Sequence, residues 1–400
     1  MTTGLDDLIA AVDESRMATT VAALAGDRFT GRRVGTPGSS AARDWLAGRL
    51  RDFGALVQMG EFPVRSVPEV YAAARATWHD GAVARPLVFG RDVTVHLASA
   101  GLPVAVRGDL AVAGAEDPAG RWLLVPAGMS FFDAYGHADG AAGLVIGRAV
   151  DADGWHYTML AGPEPGPLPV LTVDLATHAA MLDRRGWLEA DAPIRRADVT
   201  AANVYGRWDA AADLLLTAHY DGVGDLPGLR QPAAADNASG VAVVLEAARI
   251  LGPALPGGLS VALLDAEEVG ALGSAHHAAQ LRRAGAAPAV INIDGAGRLG
   301  RAAAVEAGGP AHGLLAVLDQ AGRHTGLPLA PGPVASDNRR YAAAGFAAAG
   351  IGAGMDGYHS PADMPDRVDP ATLATVCRFV VASAWLAATV SPRISSLIGD

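Results

Sequence analysis

Apolar and polar positions along the chain fall into three textures. Residues 5 to 24 alternate with helical spacing. Next, Gly35-Thr-Pro-Gly38 reads as a turn, and Ser39 or Ser40 caps a helix whose Ala42, Trp45, Leu46 and Leu50 share one face. Gly54 stops that helix. From about 70 to 195 the runs shorten to RWLLVPAG, GLVIGRAV and LPVLTVD, with the Gly/Pro stretch GPEPGPLP between the last two. This texture predicts a small β-rich module with a helix or two. From about 202 the pattern changes again. LLLTAH (214–219), LSVALLDA (259–266) and AVINID (289–294) read as strands, and 238–251, 270–284, 312–325 and 370–390 as helices, the last with Pro370 at its start. Apolar strands alternating with helices predict an α/β fold, a mainly parallel mixed sheet sandwiched by helices.

Composition narrows the function. Half of the 400 residues are hydrophobic, enough for a large core and about two domains. The formal charge of −11 disfavours nucleic acid and anionic membrane as partners. All 31 basic residues are arginine, so lysine Schiff-base chemistry and a Walker A loop are excluded. The single cysteine, Cys377, lies in an apolar helical pattern and reads as a buried hydrophobe. The first residues have neither a basic nor a long apolar segment, and the apolar stretch from Phe379 to Val390 is short for a bilayer. A soluble cytoplasmic protein is expected.

The chemistry gathers where strands end. LLLTA runs into His219-Tyr-Asp221, LSVALLDA into Glu267-Glu268, and AVIN into Asp294. Asp236 precedes a helix, and Tyr358-His359 lies in a turn near the C-terminus. In open α/β sheets the carboxyl ends of strands form the site. Imidazoles with several carboxylates suit zinc, manganese or cobalt. Two divalent cations, three ligand carboxylates and a hydroxide sum to zero, which explains two adjacent glutamates at the mouth of an apolar strand. Glu267 is then left over as a general base.

The motifs HYD (219–221), ADNASG (235–240), DAEEVGALGS (265–274), NIDGAG (292–297), ASDNRRYAAAGF (335–346) and GYHSPADMPDRVDP (357–370), in this order, resemble the M28 family of dizinc aminopeptidases. The resemblance implies a zinc-exopeptidase-like fold: a helical lead-in at 1–69, a protease-associated-like inserted domain at 70–195 and a dizinc catalytic domain at 196–400. It implies two zinc ions, with Asp236 bridging, His219 and Asp294 completing one site, and Glu268 and His359 the other. Glu267 would be the base, and Asp221 would accept from the His219 ring. It also implies a cis peptide at Asp236–Asn237. Because adjacent strand residues point to opposite faces, the strand should end by Ala266. Where the family commonly reads Ser-Asp-His, this chain has Ser336-Asp337-Asn338, and Pro333 stands near the position of a family tyrosine. Asn338, Tyr341 or Tyr358 would then contact substrate.

The implied activity is an aminopeptidase acting on a peptide or small-molecule amide. Alternatives are a cytoplasmic tailoring amidase for a specialised metabolite, a one-zinc enzyme resembling glutaminyl cyclases, and a non-catalytic binding protein. His276 and His277 read as surface residues. GAGRLG (295–300) lacks the helix a dinucleotide fingerprint needs, since RAAAVEAGG reads as a strand. Asn237-Ala-Ser239 is a chance glycosylation sequon, and Asp363, Asp366 and Asp369 cap turns.

Overall fold

The computed structural model of the protein describes residues 4–390 apart from 82, 210, 211 and 256. The last ten positions of the expected 196–400 segment lie outside the described residues. Two eight-stranded sheets form the frame. The first runs, edge to edge, Leu56–Val70, Ile194–Arg207, Ser260–Leu264, Leu214–His219, Ala289–Ile293, Ala348–Gly352, Ala303–Gly308 and Leu329–Pro331. Its central pairs are parallel, and antiparallel strands flank them. Leu214, Leu216 and Ala218 enter one core with helices Glu14–Leu24, Ser239–Leu251 and Pro370–Val390. Leu215 enters the opposite core, with Ala278 and Tyr341. Each strand therefore alternates between two apolar layers, which is why it reads as an unbroken apolar run.

Strand Leu214–His219 lies between Ser260–Leu264 and Ala289–Ile293, the next two strands in the chain. The order of the sheet reverses at this strand, so a crevice opens at its carboxyl end.

The second sheet uses strands between residues 76 and 192, with a parallel centre of Leu102–Val112, Trp122–Val125, Gly143–Arg148 and Val170–Asp174. It joins the first through the long antiparallel pair Leu56–Val70 and Ile194–Arg207. Residues 56–69 of the expected lead-in therefore form an edge of the first sheet.

Several local expectations shift. The 5–24 pattern is two helices, Leu5–Ala10 and Glu14–Leu24, broken where Asp13 accepts from Ser15 and Arg16. The cap of helix Pro37–Asp52 is Thr36, which accepts from Ser39 N–H at 3.2 Å, not a serine. Pro37 follows it, the residue with no N–H to satisfy at that position. Helix Pro370–Val390 contains a 20-residue apolar window, longer than the 379–390 stretch suggests and sufficient by length to cross a membrane. Its apolarity is matched by packing. Leu373, Val376, Phe379 and Val380 are fully buried in the core they share with helix Ser239–Leu251. Cys377 is buried there as expected.

Candidate metal centre

Each predicted ligand is placed by a strand end or a tight turn. His219 is the last residue of its strand. Its Nδ1 faces two acceptors, the Asp221 carbonyl at 3.2 Å and the Asp221 carboxylate at 3.5 Å. Nδ1 is therefore the ring nitrogen held by Asp221, and Nε2 is turned toward the other carboxylates. Nε2 lies 3.2 Å from Asp236 Oδ1 and 3.4 Å from Asp294 Oδ1. On the other side, His359 Nε2 lies 3.1 Å from Asp236 Oδ2 and 2.8 Å from Glu268 Oε2. Asp236 thus turns one oxygen toward each of two histidine–carboxylate groups. In each group three donor atoms lie within 4.8 Å of one another.

The glutamate pair is resolved as expected. Strand Ser260–Leu264 ends before Asp265, and Ala266 takes the left-handed φ of 62°. The turn sends Glu268 to the His359 group and Glu267 to the wall of the opening above the ligands. Asp221 holds that turn. Its two carboxylate oxygens accept from the N–H groups of Glu267 at 3.1 Å and Glu268 at 3.2 Å. This contact is additional to the His219 one read from sequence.

Asp236 sits in a wide turn, 234–238, just before helix Ser239–Leu251, with a cis Asp236–Asn237 peptide. Asn237 is fully buried. Its amide donates to Ile293 O at 2.9 Å and accepts from Gly240 and Gly295 N–H. The side chain is consumed in fixing Asp236 relative to the strand that delivers Asp294, which accounts for the sequon. Gly240 permits the approach: a Cβ there would stand 2.2 Å from Asn237 Oδ1.

Two positioning residues escaped the sequence reading. Asp363, read as a turn cap, is buried and accepts from Ala235 N–H at 2.6 Å and Asp236 N–H at 3.0 Å. Arg32 is fully buried and donates to the carbonyls of Leu24, Tyr220, Pro232 and Ala233, pinning both ends of the loop that follows His219. The nearby signal was a second carboxylate two residues beyond Pro361 and an arginine in an otherwise apolar lead-in, neither of which specifies its target. Asp369 does cap, accepting from Ala371 and Thr372 N–H at the start of helix Pro370–Val390.

The predicted substrate contacts separate. Tyr358 lines the opening and stacks on the His359 ring at 3.7 Å. Tyr341 does not reach it. Its ring is buried in the apolar layer beneath the sheet, with its hydroxyl 2.8 Å from His277 Nδ1. Asn338 is also buried, its amide toward Glu306 O at 3.4 Å, away from the opening. His277, expected at the surface, is buried and stacked on Tyr205 at 4.4 Å. Its partner His276 is half-buried against Phe62. Helix Leu272–Arg283 lies against the sheet rather than outside it, so one of two adjacent histidines must turn inward. GAGRLG leads into strand Ala303–Gly308, consistent with the exclusion of a dinucleotide site.

Electrostatics make the cluster unusual. Burial pushes the Glu267 carboxyl well up, with Asp337, Asp294 and Glu268 adding repulsion. Burial, opposed by His359, lifts Glu268 to about 7, and burial lifts Asp337 to about 7. Burial alone would lower His219 and His359, but Asp294 and Glu268 respectively hold them well above the usual imidazole value. Asp236 is pulled below the carboxylate range despite burial by the neighbouring imidazoles of His219 and His359. His219 Nε2, Glu268 Oε1 and Asp294 Oδ1 are buried and have no hydrogen-bond partner. Orphaned atoms of this kind are costly unless something cationic satisfies them. Their chemistry, two imidazole nitrogens and carboxylate oxygens, fits a pair of divalent cations.

A doubly covered α/β sheet thus carries, at its carboxyl edge, two donor sets that share one aspartate. Residues 203–384 match the model of Peptidase family M28. The chain is 29% identical over 272 residues to the probable lipoprotein aminopeptidase LpqL of Mycobacterium tuberculosis. That match takes in 62% of this chain and 51% of the relative, so it spans about half the relative's length. Among solved structures, the zinc aminopeptidase BSAP from Bacillus subtilis superposes with a TM-score of 0.74 at 20% identity, over 94% of this chain and 95% of that one. The aminopeptidase from Aneurinibacillus sp. strain AM-1 gives 0.70 at 20% identity, over 96% of each. These likenesses extend across both sheets.

Proposed function

We propose that the protein is a two-metal amide hydrolase, an aminopeptidase releasing N-terminal residues from peptides. The observation that carries this reading is the placement of the two Asp236 oxygens, one toward His219 and one toward His359. His219, Asp236 and Asp294 would hold one cation, and Asp236, Glu268 and His359 the other, with zinc suited to the nitrogen–oxygen set. When bound, the pair supplies Lewis-acid polarisation of the scissile carbonyl and acidifies the attacking water.

Glu267 stands in the wall of an opening of about 310 Å³ together with Asp236, Asp294 and His359. It is placed to take the proton of the attacking water and to pass it to the leaving amine. Tyr358 is the hydroxyl donor in that wall. Burial and the surrounding acids keep its phenol protonated, so it can donate to the substrate oxygen. Val334, Ala335 and Met355 give the opening an apolar side, which suits an apolar N-terminal side chain. Relatives named as aminopeptidases support the reaction class. The strands between 76 and 192 support reading the second sheet as a protease-associated-like insertion.

Metal analysis joined to a screen of aminoacyl and N-acyl amides tests the reading. About two metals per chain and release of free amino acids are expected. One metal per chain with cyclisation of N-terminal glutamine, or activity confined to acylated small molecules, would replace it.

A further inference from the structure

A second cavity, of about 720 Å³, lies between the two sheets and is larger than the opening above the metal ligands. Its wall is cationic in a chain of formal charge −11. Glu69 binds two guanidinium groups, Arg33 at 3.2 Å and Arg195 at 2.6 Å, so this cluster keeps a net positive charge. Asp225, the other carboxylate in the wall, is paired with Arg230 at 3.1 Å. Arg148, the last residue of strand Gly143–Arg148, faces the same cavity and has no salt-bridge partner among the described residues. Arg230 is shared with Asp27, so three guanidinium groups in the wall (Arg33, Arg148 and Arg195) against two carboxylates (Glu69 and Asp225) leave it one positive charge in surplus, and Arg148 is the guanidinium that no wall carboxylate engages.

The neutral groups complete a recognition surface. His96 accepts from Ala98 N–H through Nδ1 at 3.2 Å, which leaves its Nε2–H as a donor. Burial drops its pKa to about 4, so at neutral pH it contributes a donor and no charge. Thr94 and Thr172 add hydroxyls, while Val95, Leu160 and Ile194 supply apolar wall. The volume lies within the range of small-molecule sites, which combine apolar walls with a few convergent polar groups.

The cavity is not the catalytic opening. Segment 156–163 forms part of its wall and contacts the candidate metal centre from the other direction. Thr158 N–H donates to His359 O at 2.8 Å, and Met159 Sδ lies 3.3 Å from His359 Nδ1.

We propose that this inter-sheet cavity is a binding site for a small organic carboxylate, anchored by Arg148 beside the Arg33–Glu69–Arg195 cluster, with its body on the apolar wall. One unpaired guanidinium fork matches one carboxylate in the bidentate mode. A free metabolite and the acidic end of a substrate both present this chemistry. The segment shared with His359 gives an occupant a physical route to the catalytic centre in either case.

The test is calorimetric titration of the metal-loaded full chain with 3-phenylpropionate and N-acetylglutamate, and with the neutral 3-phenylpropanamide as control. Both carboxylates should bind, the amide should not, and Arg148→Ala should weaken binding at least about tenfold, the size of one charge-assisted hydrogen bond. Hydrolysis of a neutral dipeptide should be unchanged by Arg148→Ala. Equal affinity in wild type and Arg148→Ala, which would put the anion on the metals, overturns the proposal. So does equal affinity for the amide, or the lack of any Arg148-dependent binding at millimolar concentration. A rise in KM in the variant confined to peptides with an acidic downstream residue assigns the site to substrate, and unchanged KM assigns it to a separate ligand. Binding is read without turnover, so a chain inert toward peptides would leave this result intact.

Discussion

At the scale of the residue, the site is a problem of keeping carboxylates together. Asp236 is held by its neighbours' backbone and by Asp363, and Asp221 holds the N–H groups of both glutamates. These second contacts decide whether the ligands stand within reach of one ion. Asp363→Asn would turn an amide donor toward the N–H groups of Ala235 and Asp236. Metal affinity, read by competition with a chelator, should fall about 10- to 100-fold. Glu267 plays a different part, because it lines the opening and is not among the grouped donor atoms. Glu267→Gln should retain two metals per chain by elemental analysis and lose turnover by about 10²- to 10⁴-fold. Full activity in that variant would remove Glu267 from the chemistry.

At the scale of the element, short turns do what regular structure cannot. The left-handed Ala266 ends the strand so that Glu267 and Glu268 serve one crevice. Thr36 closes the start of helix Pro37–Asp52. Thr36→Ala should cost about 1 kcal/mol in chemical denaturation, the usual value of such a cap. Helix Leu272–Arg283 carries the buried His277, whose pKa burial lowers to about 3. Between that value and the ordinary 6.5 the unfolded chain binds a proton that the folded chain refuses. Stability is therefore complete above about 6.5 and declines as pH falls toward 3, by about 1.4 kcal/mol per pH unit for this group. At pH 5 the loss is about 2 kcal/mol. His277→Gln should flatten the decline between pH 6.5 and 5 relative to wild type, measured by denaturant titration at each pH. An unchanged slope would mean that His277 is protonated in the folded protein.

At the scale of the whole molecule, the first sheet converges its buried acids on one edge. Asp221, Asp236, Asp265, Glu268, Asp294, Asp337 and Asp363 are all buried. Ions that bind only the folded chain stabilise it by mass action, about 4 kcal/mol at a thousandfold excess over Kd. Exhaustive chelation should therefore lower the thermal midpoint, and zinc should restore it, as read by calorimetry. Insensitivity to chelation would count against any metal at this centre.

Much of this protein was legible along the chain because the cause was local. Runs such as LLLTAH are apolar at every position because both faces of a parallel strand are covered. Polar residues at the ends of three such runs mark the crevice where strand order reverses. His219, Glu268 and Asp294 could be placed in this way, Asp236 and His359 joined them through the order of motifs resembling the M28 family, and the structure brings all five together. The side of a helix that faces the sheet was not legible for His276 and His277, since two adjacent histidines differ by only a rotation about the helix axis. Nor were the partners of Tyr341, Asp363 and Arg32, which lie far away in the sequence. The sequence by itself determined which polar side chains stand at the ends of which strands, because periodicity and strand-end polarity are properties of neighbouring residues. Only the tertiary structure decided which polar groups satisfy one another and what cavity the two sheets enclose, because burial and hydrogen bonding join residues that the chain keeps apart.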